Sequence, residues 1–289
     1  MARIVYVNGQ YLSYGDAMIH CEDRGFLFGD AVYEVCPVLA GRIIDAEHHL
    51  VRLERSLSEL AIQPPMSRAA LGHVLRETVR RNRVKDGSIY LEVSRGVAKR
   101  DFLFPPAGTP RTVVCFARSQ SFEKLDATAQ KGILVISAPD QRWERVDIKT
   151  VQLLAPAMAK EKARAANAKE AWLVDRDGYV TEGASANAWI VTADGEIATR
   201  SAASGILRGV TRTVLIEFLA SENLRITERP FTIEEAKAAA EAFVTSATNF
   251  VMPVVRIDDA VIGQGKPGPV TLRLRRLVVA AAHEAAAAS

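Results

Sequence analysis

Two runs of apolar residues at helical spacing, set between strand-like runs, constrain this chain most. Leu50, Leu53, Leu57 and Leu60 recur at intervals of three and four, as do Leu71, Val74, Leu75 and Val79. Each set lies along one side of a helix, so each helix has a stripe to bury. Asp45 stands where it can cap the first, Pro64-Pro65 ends it, and Ser67 opens the second, expected to run to about Arg83. Ala31–Leu39, resuming after Gly41-Arg42 as Ile43-Ile44, reads as strand, as do Ser88–Val93 and Thr112–Phe116. Ile4–Val7, Asn8-Gly9 and Tyr11–Tyr14 read as a hairpin. The first ~120 residues are therefore expected to form a mixed α/β unit in which two helices cover a sheet.

Beyond it, the polar and aperiodic stretch from Ser119 reads as a linker. The expected organisation is a small N-terminal α/β domain over 1–118, a linker over 119–129 and a larger C-terminal domain over 130–289. The second part opens with a strand, Gly132–Ser137, and a helix from Pro156 to Asn167 with proline in its first turn. Ala171–Val174 turns at Asp177-Gly178 into Tyr179–Thr181, and Ala188–Val191 turns at Asp194-Gly195. Gly209 precedes a helix expected over Val210–Glu222, and Thr232-Ile233-Glu234-Glu235 is a capping box for a helix through Glu241. Ala242–Thr245 and Val254–Ile257 read as strands, and Val270–Ala287 as an amphipathic helix.

Bulk properties narrow the classes. A chain of 289 residues with 25% charged and 48% hydrophobic residues has the composition of a globular protein, and its net charge of +3 is too small to argue for nucleic acid. The densest basic run, Arg80-Arg81-Asn82-Arg83, suits a helix C-terminus. Cys21, Cys36 and Cys115 lack metal-like spacing, and Cys36 and Cys115 lie in apolar runs, so buried reduced thiols and a cytoplasmic setting are expected. No metal-ligand pattern is read among the five histidines; His48 and His49, adjacent on a helix, point to different faces. No signal segment or membrane span is read.

The chemistry-bearing parts are spread along the chain. Lys149, in Arg142-Trp143-Glu144-Arg145-Val146-Asp147-Ile148-Lys149-Thr150, is expected to end a short apolar strand, and Glu182 stands isolated in Thr181-Glu182-Gly183. A lysine amine that condenses with an aldehyde and a carboxylate that keeps a ring nitrogen protonated are the two needs of a pyridoxal phosphate site. Gly205-Ile206-Leu207-Arg208-Gly209-Val210-Thr211-Arg212 reads either as an anion-binding helix start or as a loop in which Thr211 merely caps. Phe243-Val244-Thr245-Ser246-Ala247-Thr248-Asn249 is a hydroxyl cluster or an ordinary polar turn. Arg52 taken alone is a solvated helix arginine. Asp23–Glu34, with two glycines and alternating charges and aromatics, is a tight turn beside a ligand or the entry to an aromatic core strand.

Taken in order, these motifs resemble the class IV aminotransferases of pyridoxal phosphate fold type IV, and most of all the D-amino acid aminotransferases. The resemblance rests on Asp23-Arg24-Gly25, Phe28-Gly29-Asp30-Ala31-Val32-Tyr33-Glu34, His49-Leu50-Val51-Arg52-Leu53, Ser94-Arg95-Gly96, Asp147-Ile148-Lys149, Thr181-Glu182-Gly183, Gly209-Val210-Thr211-Arg212 and Phe243-Val244-Thr245-Ser246. It implies a mixed α/β fold with pyridoxal 5'-phosphate between a small and a large domain, and a ping-pong transamination between a D-amino acid and a 2-oxo acid. It also implies roles. Lys149 condenses with the cofactor and moves the proton, and Glu182 pairs with the pyridine nitrogen. Arg52, Val210 (through its backbone), Thr211 and Ser246 hold phosphate, and Leu207 packs on the ring. Ala247 departs from the family, which often has a hydroxyl there; Thr248 is a neighbouring source.

For the substrate, the resemblance places Tyr33 and Arg100 in the trap for the α-carboxylate, with Arg100 offering a charge-assisted contact. Phe102 stands where the family has a histidine, and a phenyl ring donates no hydrogen bond. The alternative for Arg100 is a solvent pair with Asp101, and Arg24, Arg142 and Arg145 are other candidate carboxylate sites. Relatives extend this loop into a partner's site, which implies a homodimer. The alternatives in function are a branched-chain L-amino acid aminotransferase, an (R)-amine transaminase and, by a different reaction, an aminodeoxychorismate lyase.

Overall fold

Along Ala31–Leu39, Val32, Glu34 and Cys36 are buried while Tyr33 and Val35 between them are half-buried, as in a sheet covered tightly on one face. A computed structural model of the protein, describing residues 3–203, 205–221 and 226–288, shows what does the covering. The chain forms two compact units: Met1–Ser121 with Ile148–Gln152 and Ala282–Ser289, and Phe122–Asp147 with Leu153–Ala281. The fold is mixed α/β.

The first unit contains β1 (Ile4–Val7), β2 (Gln10–Ser13), α1 (Arg24–Phe28), β3 (Ala31–Leu39), β4 (Arg42–Ile43), α2 (Ala46–Glu59), α3 (Arg68–Asn82), β5 (Gly87–Ser94) and β6 (Thr112–Ser119). Its sheet is antiparallel throughout, in the order β2-β1-β6-β5-β3-β4. Leu50, Leu53 and Leu57 of α2 and Leu71, Val74, Leu75 and Val79 of α3 form one core with Val32, Cys36, Ile89, Leu91, Val93, Val113 and Cys115. Ser67 caps α3 by accepting the Ala70 N–H at 3.3 Å. Asp45 begins α2 without a side-chain cap; its φ of 51° turns the chain out of β4, a conformation aspartate tolerates. Where a tight turn or a strand entry was expected before β3, α1 forms, capped by Asp23 at the Gly25 N–H and ended by left-handed Gly29.

The second unit holds α4 (Phe122–Lys131), β7 (Ile133–Pro139), α5 (Leu154–Ala165), β8 (Glu170–Val174), β9 (Val180–Gly183), β10 (Asn187–Val191), β11 (Ile197–Thr199), α6 (Val210–Ser221), β12 (Ile226–Glu228), α7 (Ile233–Lys237), β13 (Glu241–Ser246), β14 (Phe250–Ile257) and β15 (Ala260–Val261). It also starts α8 (Pro269–Ala288). Its mixed sheet runs β12-β11-β10-β13-β14-β7-β8-β9, with β15 on β14. The polar stretch read as a linker folds as α4, because Leu125 and Ala129, four residues apart, are buried as a narrow apolar stripe. The capping box at Thr232 forms, but α7 stops at Lys237 because Glu241 already belongs to β13. The expected end of α6 at Glu222 lies outside the described residues.

Lys149 is not the end of a strand of its own. Residues 140–149 form neither strand nor helix, and the lysine segment borrows its order from β3. Since β4 pairs only with Val38 and Leu39, the start of β3 has a free edge. The Tyr33 N–H donates to the Lys149 carbonyl at 3.0 Å, the Val151 N–H donates to the Ala31 carbonyl at 3.1 Å, and Thr150 bridges to Val32. Ile148 is sunk in the core of this unit, and the Lys149 N–H reaches the Ser56 Oγ at 3.3 Å.

Candidate active site

In the first unit the strand register puts Tyr33 on the sheet face that the helices do not cover. Lys149 Nζ lies on that face, 4.2 Å from the centre of the Tyr33 ring. An ammonium over a ring is attracted by its quadrupole, and the ring fixes where the amine projects. Tyr33 stacks on Tyr90 at 5.6 Å, and Tyr90 on Phe116 at 4.8 Å, so an aromatic ladder backs the lysine.

On the covered face, one residue along β3, Glu34 meets Arg52. The guanidinium grips the carboxylate at both ends, Nε to Oε1 at 2.8 Å and Nη2 to Oε2 at 2.7 Å, and His49 Nδ1 lies 2.7 Å from Oε2. Arg52 is therefore no solvated helix arginine. Burial works to raise the Glu34 carboxyl, but the Arg52 charge and hydrogen bonds, with His49, hold it down to about 2. Burial lowers the pKa of His49, so the neutral ring donates its Nδ1–H to Glu34 and the contact is a hydrogen bond rather than an ion pair. Sequence reasoning missed Glu34 and His49; the signal was an acid in the middle of an apolar strand, which needs a partner.

The substrate candidates Arg100 and Phe102 lie in the segment between β5 and β6. Phe102 is 81% exposed and meets Phe28 edge-on at 5.9 Å. The Arg100 guanidinium lies 5.6 Å from the Phe28 ring centre and 5.9 Å from that of Phe102; the alternative, a solvent pair with Asp101, is not formed among the described residues, and Asp101 Oδ1 accepts the Leu103 N–H instead. Arg24, one of the alternative carboxylate sites, is buried: it pairs with Asp30 at 2.8 Å and donates to the Asp101 and Leu103 carbonyls, tying this segment to α1. Arg145 pairs with Asp147 at 3.0 Å.

In the second unit, β9 presents Glu182, buried, to three donors. Arg142 Nη1 and the Leu207 N–H (3.1 Å) donate to its Oε1, and Asn187 Nδ2 donates to Oε2 at 2.9 Å. Arg142 is fixed by Asp140 through Nε at 2.9 Å and Nη2 at 2.7 Å, and Thr181 donates to the same Asp140 at 2.8 Å. Burial would lower the Arg142 pKa, but Asp140 and Glu182 together raise it, so its charge is fixed. Arg142 is thus committed to Glu182 and is not a free carboxylate site. Asn187 also donates to the Leu207 carbonyl at 3.0 Å, linking the acid to the loop before α6. Neither Asn187 nor the role of Arg142 was read from sequence; a lone acid entering a sheet was the only hint.

Gly209 closes that loop, so close to Asn187 that a Cβ there would lie 2.1 Å from Oδ1. Val210 and Thr211, both buried, begin α6, which packs on β13. Ser246 ends β13, and its Oγ accepts the Asn249 N–H at 3.3 Å, leaving its own proton to donate; Ala247 and Thr248 follow, half-buried. A helix start with a glycine before it and hydroxyls beside it has the donor set a phosphate requires. A buried carboxylate with fixed donors suits a protonated ring nitrogen, and a lysine amine held on an aromatic ring suits an aldehyde, so the residues fit pyridoxal 5'-phosphate.

Comparison with known proteins agrees. Residues 31–257 match the family model for amino-transferase class IV. The chain is similar to the D-alanine aminotransferase of Bacillus licheniformis, 38% identical over 92% of this chain and 93% of that protein. That of Staphylococcus aureus (strain N315) is 34% identical over 94% and 95%. Among solved structures, the T.th. branched-chain amino acid aminotransferase with pyridoxamine 5'-phosphate superposes with a TM-score of 0.88, covering 96% of this chain and 93% of that one at 26% identity.

Proposed function

The chain belongs to the class IV aminotransferases, and on that premise we propose that it moves an amino group between a D-amino acid, of the D-alanine or D-glutamate type, and a 2-oxo acid. The cofactor, pyridoxal 5'-phosphate, supplies an aldehyde that takes up the amino group and a ring that accepts electrons. Lys149 would bind it, and the lysine amine, seated on Tyr33, would remove and return the proton at the reacting carbon. Glu182 holds the ring nitrogen, with Arg142 and Asn187 aiming the carboxylate. The Val210 N–H, Thr211, Ser246 and Arg52 hold the phosphate, Ala247 lines it and Leu207 backs the ring. Tyr33 and Arg100 take the substrate carboxylate, Phe102 replaces a polar partner with an apolar wall, and the working form is a cytoplasmic homodimer.

The observation that carries this reading is the placement of the Lys149 amine on the Tyr33 ring at the free edge of β3. The D-amino acid preference draws its support from the 38% identity to a D-alanine aminotransferase, against 26% to the branched-chain enzyme that shares the fold. Phe102 is the one observation that favours an L-branched or amine substrate instead. A half-reaction screen with paired D- and L-amino acids and (R)-amines, following cofactor absorbance, decides. Conversion by D-alanine is expected; conversion by branched L-amino acids alone overturns the proposal.

A further inference from the structure

In the second unit β13 and β14 form a hairpin, with Thr245 paired to Val251 and Ser246 to Phe250 across its turn. Phe250 closes the turn at φ 56°, in the left-handed region. That region is disfavoured for a residue with a Cβ, and a phenylalanine has no side-chain hydrogen bond to offset the cost, so surrounding structure has to hold it there. Arg275 of α8 does so. Its Nη1 donates to the carbonyls on either side of Phe250, that of Asn249 at 3.0 Å and that of Val251 at 2.7 Å. From α4, the Phe122 ring meets that of Phe250 edge-on at 6.0 Å, and Asp126, one turn further along, accepts from Arg275 Nε at 3.2 Å. Glu241, at the other end of β13, accepts the Val270 and Thr271 N–H groups at 3.0 and 2.7 Å, which anchors α8 on the same hairpin just before Arg275.

The arginine is costly to keep. It is buried, its Nη2 has no acceptor among the described residues, and burial lowers its pKa against only partial opposition from a partly exposed Asp126. An apolar side chain would pack α8 on the sheet without that cost, so the gain from Arg275 lies in the turn. The same turn sets the hydroxyl assigned to phosphate above. The Asn249 N–H donates to the Ser246 carbonyl and to the Ser246 Oγ, each at 3.3 Å, so the Asn249 backbone decides where Ser246 aims its own proton. We propose that Arg275 is a positioning residue for the phosphate group: by gripping the carbonyls around Phe250 it holds the Ser246 hydroxyl in donating position, and it acts through Ser246 rather than on the phosphate. The proposal rests on the reading of Ser246 given under the proposed function.

The test titrates the full chain, freed of cofactor, with pyridoxal 5'-phosphate and with pyridoxal, following absorbance. The two ligands differ only in the phosphate, so the ratio of their affinities separates phosphate contacts from everything that binds the ring. Arg275→Met keeps much of the volume and removes the donors. It is expected to lower the ratio roughly 10-fold, the loss of about one charge-assisted hydrogen bond. Equal weakening of both ligands, or no change in either, overturns the proposal and leaves Arg275 as a packing residue. Ser246→Ala tests the reading beneath: its ratio should fall, and adding Arg275→Met to it should lower the ratio by less than about twofold more, because the two act as one. If Ser246→Ala leaves the ratio unchanged, the phosphate role of Ser246 fails and the proposal with it. If Ser246→Ala lowers the ratio and Arg275→Met lowers it fully again on top, the role of Ser246 stands and the proposal alone fails. Should Arg275→Met not fold, Asp126→Asn changes a partly exposed carboxylate and loosens the guanidinium at Nε; it is expected to lower the ratio about twofold, and an unchanged ratio overturns the proposal.

Discussion

Lys149 Nζ sits 4.2 Å above the Tyr33 ring while the Tyr33 N–H donates to the Lys149 carbonyl at 3.0 Å, so one residue of β3 fixes both the backbone and the amine of the lysine. Tyr33→Phe keeps the ring and the backbone bond and removes only the hydroxyl. Its kcat is expected to fall less than about 10-fold while KM for amino acids rises, as when a ground-state contact is lost. Tyr33→Ala removes the seat and is expected to lower kcat by about 100-fold. Lys149→Ala should be colourless once added cofactor is removed, and inactive; full activity in that variant sinks the mechanism. Stopped-flow half-reactions on the three variants supply the comparison.

Glu34, Arg52 and His49 form a buried assembly whose charge balance depends on one carboxylate. The Glu34 carboxyl is ordinarily near 4.5 and is held down to about 2 in the folded protein. A depressed carboxyl stabilises the fold fully above its unfolded value, and that contribution drains away as pH falls toward the folded one. The shift corresponds to about 3 kcal/mol. Glu34→Gln is expected to lose that amount at neutral pH and to leave Arg52 without a counter-charge. The gap in unfolding free energy between it and the unmodified protein should narrow between about pH 5 and pH 3. Urea unfolding across that range measures it, and a constant gap would refute the assignment.

Arg142 holds Glu182 and is itself held by Asp140, so its removal strands two carboxylates. Arg142→Met fills similar space without charge. Leaving buried acceptors unsatisfied costs about 1–3 kcal/mol, which is expected as roughly 10- to 100-fold weaker cofactor retention on dialysis. Far-UV circular dichroism should remain that of the unmodified protein. Retention unchanged within about twofold would show that Asn187 and the Leu207 N–H suffice to hold the acid.

What is legible in the sequence is whatever is written locally. The two helix stripes, the hairpin at Asn8-Gly9, the caps at Ser67 and Thr232 and the helix start at Val210 each depend on residues within a turn or two. Lys149, Glu182, Thr211 and Ser246 stand out because short chain patterns surround them. Pairs formed across the chain do not, since Arg52 meets Glu34 across 18 residues and Arg142 meets Glu182 across 40. The strand end expected at Lys149 does not form because the edge that orders this lysine lies far earlier in the chain, at Ala31 and Tyr33. The linker expected after Ser119 is α4 instead, because its burial comes down to Leu125 and Ala129 in otherwise polar surroundings.

Gly209 offers the sharpest test of how the ring acid is tied to the phosphate loop. A methyl there would stand 2.1 Å from Asn187 Oδ1 and 3.3 Å from its Cγ, so the amide has to swing away. In doing so it would release both of its bonds, to Glu182 at 2.9 Å and to the Leu207 carbonyl at 3.0 Å. The backbone at Gly209 is not in the left-handed region, so the cost is steric rather than conformational. Gly209→Ala is expected to cost about 1–3 kcal/mol of stability, the usual range for an overpacked interior. Adding Asn187→Ser shortens the obstructing side chain without restoring the bond to Glu182. The double variant should therefore regain thermal stability over Gly209→Ala while its cofactor retention stays low. Recovery of both together would mean that the Asn187 link is packing alone, and recovery of neither would mean that Gly209 acts through the phosphate rather than through Asn187.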